Sequence, residues 1–241
     1  GQSFFKMKSA QTLFNRLNNF LKSNGKINDD WNAIGVISNH SSTVGAYDLD
    51  IVDTKSNENS TLKKIQNNKY ELLFLFGQDN LNFTKKNEFI VYIGTHGDKG
   101  AETSDLILPG AAYTEKESHY TNLEGKLQKT YKASFPPGDA LEDWEIINKL
   151  SELIKRKKLF KDKNELVDSM INYLKLKKDK TSNILPDSKN EVTSEKINVS
   201  KIDYYYSNVI ARASKTMLDC HNSKFDITNM ILNIILFCDS D

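Results

Sequence analysis

The sequence predicts an α/β fold in which a parallel sheet is followed by a helical C-terminal region. Three observations carry this. Three apolar runs of strand length, Glu71–Gly77, Phe89–Gly94 and Asp105–Leu108, each end at Gly or at Pro109-Gly110. Continuous apolar runs of this kind suit strands covered on both faces, as in a parallel sheet. Apolar residues at helical spacing flank them on both sides, and the gaps between the runs leave room only for short crossovers.

Taken in order, Met7, Ala10, Leu13, Phe14, Leu17, Phe20 and Leu21 recur at helical spacing and predict an amphipathic helix ending near Ser23-Asn24-Gly25. Asp29 and Asp30 can cap the segment that carries Trp31, Ile34, Val36 and Ile37, and polar residues 53–60 read as a loop. After the three strand runs, Tyr120–Tyr131 predicts a hairpin whose turn, Asn122-Leu123-Glu124-Gly125, has Gly125 free to take positive φ. Pro136-Pro137-Gly138 then breaks the chain. Asp139 with Glu142 predicts a capping-box start to a helix with Leu141, Trp144, Ile147, Leu150 and Ile154 on one face. Asp162 with Glu165 starts another, with Leu166, Met170, Ile171 and Leu174 on its apolar side. Residues 175–198 have linker composition. A helix over Ser200–Cys220 and a last one over the apolar stretch Ile227–Cys238 complete the chain.

At 241 residues there is enough chain for one or two domains with real cores. Thirty-three basic residues against 32 acidic ones give a net charge of +1, which makes no electrostatic case for nucleic acid or an anionic membrane as partner. Only Arg16, Arg156 and Arg212 are arginines; the rest of the basic residues are lysines, a bias that AT-rich codons produce. Cys220 and Cys238 are too few for a disulfide framework or for the four thiolates of an iron–sulfur cluster, and read as small core hydrophobes. The stretch Ile227–Cys238 is shorter than the roughly 20 residues a membrane span needs.

The run DLILPGAAYTEK at 105–116 closely resembles a signature of the large iron–sulfur subunit of respiratory complex I. So do YTNLEG at 120–125 with Gln128, Pro136-Pro137-Gly138, EDWEII at 142–147, and Leu150-Ser151-Glu152. Upstream, LFLFG at 73–77 and His96-Gly97-Asp98 with Gly100-Ala101 fit the same family. Downstream, IARASKTM at 210–217 with Cys220 resembles the tail of its mitochondrial members. These matches are collinear over most of the chain. The resemblance extends to molybdopterin oxidoreductases, in which this region forms a Rossmann-like domain.

The resemblance implies a molybdopterin-oxidoreductase-like, Rossmann-like α/β domain over 1–158, and a helical region over 159–241 with a polar linker near 175–198. It implies a structural, non-catalytic part of NADH:ubiquinone reductase, supporting electron transfer in the peripheral matrix arm, on the matrix side of the mitochondrial inner membrane. Expected partners are the N-terminal iron–sulfur part of the same subunit and other matrix-arm subunits, with no nucleic acid and no direct membrane span. No cofactor is expected in this chain; iron–sulfur clusters are expected on the N-terminal part. Gly1-Gln2-Ser3 resembles a strand-to-helix turn inside the family's domain. The domain is therefore expected to be incomplete at its N-terminus, through a split subunit or a sequence that begins within a longer one. An active molybdopterin oxidoreductase and a free-standing regulatory or assembly protein are the alternatives.

No residue is assigned a catalytic, cofactor-binding or metal-ligating role. Gly94, Gly97 and Gly100 follow a strand but lack the G-x-G-x-x-G spacing, so a tight glycine-dependent loop is expected. His96 and Asp98 lie where α/β proteins place ligands, and a packing or vestigial role is expected for them. Glu115, Glu117, His119 and Glu124 span a strand and turn rather than one helix face, and Cys220-His221 lacks a second pair, so neither set reads as a metal site. The basic run Lys155–Lys158 reads as a solvated helix end.

Overall fold

The computed structural model describes residues 9–28, 33–35, 37, 40–51, 61–79, 81, 83–178, 194 and 203–223. The chain divides into two compact units whose segments alternate along the sequence. Unit 1 takes Gly1–Thr54, Glu117–Tyr131 and Leu159–Ser200, and unit 2 takes Lys55–Lys116, Lys132–Lys158 and Lys201–Asp241.

Unit 2 holds the parallel sheet. Strands β1 (Leu72–Phe76), β2 (Phe89–Gly94) and β3 (Leu106–Pro109) lie in the order β1-β2-β3. All pairing is parallel, with Leu73 opposite Ile90 and Val91 opposite Leu106. Helix α3 (Thr61–Gln66) precedes the sheet, the short α4 (Lys99–Glu102) crosses between β2 and β3, and α5 (Asp143–Lys155) follows. One sheet face carries Leu73, Leu75, Ile90 and Tyr92, packed on Ile65 of α3 with Tyr70, Leu81, Phe83 and Ala101 around them. The opposite face carries Val91 and Ile93, packed on Ile146 of α5 with Leu108 and Leu141. Strand β2 is thus covered on both faces, as its unbroken apolar run predicts. Strand β1 is covered on one only: Leu72, Phe74 and Phe76 stay exposed.

The start of α5 differs from the sequence expectation. Its N-cap is Glu142 rather than Asp139, and the reach-back comes from Glu145, whose Oε2 accepts the Glu142 N–H at 3.0 Å. The reason lies upstream. Ala140 closes a turn onto the Pro137 carbonyl, and Leu141 makes a parallel bridge with Gly110, so the chain is extended until residue 142. This also resets the buried face. Ile146 and Asn148 turn inward, while Leu153 is 81% exposed and Ile147 and Ile154 face solvent. The helix closes at Arg156 in a left-handed conformation, with Lys155–Lys158 solvated as expected.

The single helix expected over Ser200–Cys220 is two. Helix α7 (Val209–Ala213) is capped by Asn208, whose Oδ1 accepts the Ala211 N–H at 2.9 Å. Ser214 is extended (ψ 123°), and a further helix, α8, covers 215–223. Ser214 serves both ends: its N–H donates to the Ala211 carbonyl at 3.1 Å, and its carbonyl accepts from Leu218 at 3.0 Å. A serine competes for local backbone groups, which is why it breaks a helix here. Cys220 on α8 is a free thiol and half-buried rather than a core residue.

Unit 1 contains α1 (Ala10–Ser23), α2 (Thr43–Asp48), the antiparallel pair β4 (Ser118–Thr121) and β5 (Leu127–Thr130), and α6 (Lys163–Lys178). Helix α1 ends at Asn24 and Gly25 as its sequence predicts, but Leu17 and Phe20 on its apolar stripe are exposed. The hairpin forms as expected, with Gly125 at φ +80° in its turn. Helix α2 packs on it closely. A Cβ on Gly45 would stand 2.9 Å from Thr121 Oγ1, and Ser42 Oγ accepts the Thr121 N–H at 3.1 Å. Asp162 caps α6 through the Glu165 N–H at 3.0 Å, and Leu166, Met170, Ile171 and Leu174 form its half-buried side. The helix runs on through Lys175–Lys178, where linker composition predicts none. The cap at Asp29-Asp30, the loop at 53–60, the rest of the linker and the helix at 227–238 fall outside the described residues, 194 excepted.

Candidate functional site at the carboxyl end of the sheet

Open parallel sheets bind ligands at the carboxyl ends of their strands. In unit 2 that end is made by the turn after β1, the loop Thr95–Asp98 after β2 and the turn after β3. At its centre is Tyr92. The side chain lies on the α3 face of β2 and runs along the strand past Gly94 to reach the loops. A Cβ on Gly94 would stand 2.1 Å from the tyrosine oxygen, so only glycine leaves room for this path. The hydroxyl donates to the Asp79 carboxylate, and the Gly97 carbonyl lies 3.1 Å away. Burial raises the Tyr92 pKa above its ordinary value, and the Asp79 hydrogen bond and charge raise it further.

The loop is fixed by the same contacts. Gly97 sits at φ +84°, a conformation that side chains disfavour. The Gly100 N–H donates to the Asp79 carbonyl at 2.9 Å, and a Cβ on Gly100 would stand 2.5 Å from the Gln78 carbonyl. The three glycines therefore form the tight loop expected of them, each for a steric reason.

Asp98 caps α4 by accepting the Lys99 N–H at 2.9 Å, and its other oxygen takes Arg212 Nε at 2.6 Å. Arg212 comes from α7 and also donates to the Tyr206 carbonyl at 3.4 Å. Burial pushes the Asp98 pKa up, but the Arg212 hydrogen bond and the Lys99 N–H outweigh it, and the net shift is downward. Next to this pair, the Tyr206 ring stacks on His221 at 4.5 Å, and His221 contacts Asp203. His96 does not join the cluster. It is exposed and shares a hydrogen bond with Thr95 Oγ1 at 2.9 Å.

Tyr92→Phe keeps the ring and removes the hydroxyl; it should cost about 1 kcal/mol, the net worth of one hydrogen bond. The folded pKa of Tyr92 lies above the unfolded value of about 10, so the contribution is whole below pH ~10 and declines as pH rises through the folded value. Alkaline denaturation curves of Tyr92→Phe and the parent should converge. Arg212→Met should loosen residues 203–223 by about 1 kcal/mol, the scale of a partly buried pair. The folded pKa of Asp98 is depressed, so this tie is whole above about pH 4 and is lost as pH falls through the folded value. Limited proteolysis of the 203–223 segment should report it.

The remaining sequence candidates do not converge. Glu115 accepts the Ala112 N–H at 2.9 Å, and Glu117 pairs with Lys129 at 3.0 Å. His119 lies opposite Lys129 in the hairpin, and burial, then Lys129 and Lys163, lower its pKa. Glu124 sits in the turn, where its N–H donates to Asn122 Oδ1. Among the described residues, no three His, Cys, Asp or Glu side chains gather as a metal site would require. Nor is any helix there long and apolar enough to cross a membrane. Sequence reasoning singled out Asp98 and the glycines but missed Tyr92, Asp79 and Arg212. Two signals were available: a lone tyrosine two residues before Gly94 in an aliphatic strand, and an arginine in a chain that uses lysine almost throughout.

Residues 1–153 match the family described as molybdopterin oxidoreductase. The NADH-ubiquinone oxidoreductase 75 kDa subunit of Reclinomonas americana is 37% identical over 203 residues, covering 79% of this chain and 29% of that protein. A subunit of the NADH-quinone oxidoreductase of Rickettsia bellii is 36% identical over 209 residues, covering 83% of this chain and 29% of its own length. The mitochondrial NADH-ubiquinone oxidoreductase 78 kDa subunit of Candida albicans is 30% identical over 238 residues, 91% of this chain and 32% of that protein. The chain spans about a third of the length of these curated relatives. The chain belongs to the molybdopterin oxidoreductase family, and its homologues include proteins named as the 75 kDa and 78 kDa subunits of NADH-ubiquinone oxidoreductase.

Proposed function

We propose that the chain is a structural part of the large iron–sulfur subunit of complex I, supporting electron transfer from NADH to ubiquinone in the matrix arm at the mitochondrial inner membrane. The single observation behind this is similarity to subunits so named over most of the chain, at 30–37% identity. In this reading the iron–sulfur clusters sit on the remaining part of the subunit, and this chain binds that part and neighbouring matrix-arm subunits. Its own residues hold no redox centre.

The state of the strand ends supports a supporting role over a catalytic one. A pterin cofactor of this family would need open space and unengaged donors there. The residues present do not fit it at this edge. The Tyr92 ring fills the space over Gly94, two carboxylates (Asp79 and Asp98) would repel an anionic group, and Arg212 is held by Asp98. No buried side-chain polar atom among the described residues lacks a hydrogen-bond partner.

Complex I purified from the source should contain this polypeptide by mass spectrometry, and its absence from that preparation would end the reading. The family match itself favours a second reading, an active molybdopterin oxidoreductase. Molybdenum or tungsten co-purifying in stoichiometric amount with the chain would establish that alternative.

A further inference from the structure

Helix α5 has apolar residues on two sides, and the sheet uses one of them. Ile146 packs on Val91 and Ile93. Ile147, Leu150, Leu153 and Ile154 recur at i, i+3, i+6 and i+7, so they share another side of the helix. Ile147 is 38% exposed, Leu153 81% and Ile154 71%, with Leu150 half-buried among them. A contiguous apolar stripe on a polar surface marks a contact face. One end of the stripe is basic: Lys155, Arg156, Lys157 and Lys158 close the helix, and all four are exposed.

The chain holds a segment that matches this stripe in pattern, length and charge. Ile227, Met230, Ile231, Ile234, Ile235 and Cys238 recur at helical spacing, with Asn229 and Asn233 on the other side. As a helix the segment 227–238 would be about 18 Å long, against about 20 Å for α5. Asp239 and Asp241 follow it and complement the basic end of α5. Connectivity agrees. Helix α5 starts at the carboxyl end of the sheet, where Leu141 bridges Gly110 just past β3. The Arg212–Asp98 pair ties the segment 203–223 to the same end, and residues 224–226 alone separate α8 from Ile227. Both α5 and residues 201–241 belong to unit 2. A helix laid along α5 from that end runs parallel to it and brings Asp239 and Asp241 to Lys155–Lys158.

We infer that residues 227–238 dock as an amphipathic helix on the Ile147–Ile154 stripe of α5, with Asp239 and Asp241 against its basic end. A separate partner fits less well. A stable protein interface buries roughly 1,200–2,000 Å² in total, of which this stripe offers a small part. A segment of the same chain, tethered through residues 224–226, meets the stripe at an effective concentration of about millimolar and needs less area. Apolar burial supplies the stability, and the exposed charges set the register. The inference stands independently of the proposed function.

The test uses the full chain in the assembly in which it occurs. In a Cys220→Ser background, Ile154→Cys should cross-link to the native Cys238 within one chain under mild oxidation. Glu152→Cys, exposed on the opposite side of α5, should do so about tenfold less. Without these substitutions, the amides of residues 230–238 should exchange about a hundredfold more slowly than those of an unstructured chain. Leu153→Asp with Ile154→Asp should abolish that protection; both side chains are exposed, so the sheet and its core stay intact. Equal cross-linking from 152 and 154, or a cross-link to a second copy or another polypeptide, would overturn the inference. So would unprotected amides over 230–238, or protection that survives the double aspartate change.

Discussion

Ile90→Ala should cost about 4 kcal/mol of folding stability, the upper range for truncating a buried isoleucine. Ile90 is 0% exposed and sits at the centre of the cluster made by Leu73, Leu75, Tyr92 and Ile65. Its neighbours come from two strands and a helix, which hold one another apart and limit collapse into the space left. Against a typical total of 5–15 kcal/mol, such a loss would leave a marginal protein. Ile107→Ala is the internal comparison. It sits one strand away at 54% exposure and should cost under about 1 kcal/mol. Urea denaturation separates the two through the midpoint at unchanged slope. Equal costs would mean that this face of the sheet is covered as fully at β3 as at β2.

Gly100→Ala is expected to lose about 3 kcal/mol, and here two effects compete in sign. Gly100 lies in α4 with no unusual φ, so helix propensity alone would favour alanine by about 1 kcal/mol. Sterics oppose this. The new methyl would stand 2.5 Å from the Gln78 backbone carbonyl and 3.1 Å from two Tyr92 ring carbons. A backbone oxygen between β1 and Asp79 cannot swing away as a side chain can. Overpacking of this kind typically costs 1–3 kcal/mol, and the tight contact puts Gly100 at the top of that range. A stabilised Gly100→Ala protein would show that the β1 turn is free to move and that propensity wins. Gly97→Ala, in the same loop, should be destabilised for a different reason: its φ of +84° strains any side chain, although the new methyl would meet only Ala101 Cβ at an ordinary 3.7 Å.

The sheet was legible in the sequence because its signal is local. Each strand is one unbroken apolar run with a Gly or Pro stop, and the structure places all three within a residue of those limits. The hairpin was legible through Gly125. What the sequence did not reveal depends on contacts between distant segments. The cap of α5 moved to Glu142 because Leu141 pairs with Gly110, some thirty residues earlier. The exposed Ile147 and Ile154 have good helical spacing, but spacing does not say how far the sheet extends beneath a helix. The same limit applies to the candidate site. Gly94, Gly97, Gly100 and Asp98 are close in sequence and were identified together. Arg212 reaches Asp98 from 114 residues away, and Tyr92 reaches Asp79 from 13, so only the fold joins them.

The alternation of the two units along the chain also has a consequence for synthesis. Unit 2 begins at Lys55 and its final segment begins at Lys201, and at about 5–20 residues per second a ribosome takes roughly 7–30 s to make that span. Strand β2 leaves the ribosome well before Ile146, the residue that covers Val91 and Ile93. For several seconds the nascent chain therefore presents the Val91 and Ile93 face of its strands with no helix to shield it. A chaperone that holds such segments should bind translating ribosomes most strongly between the emergence of β3 and that of α5.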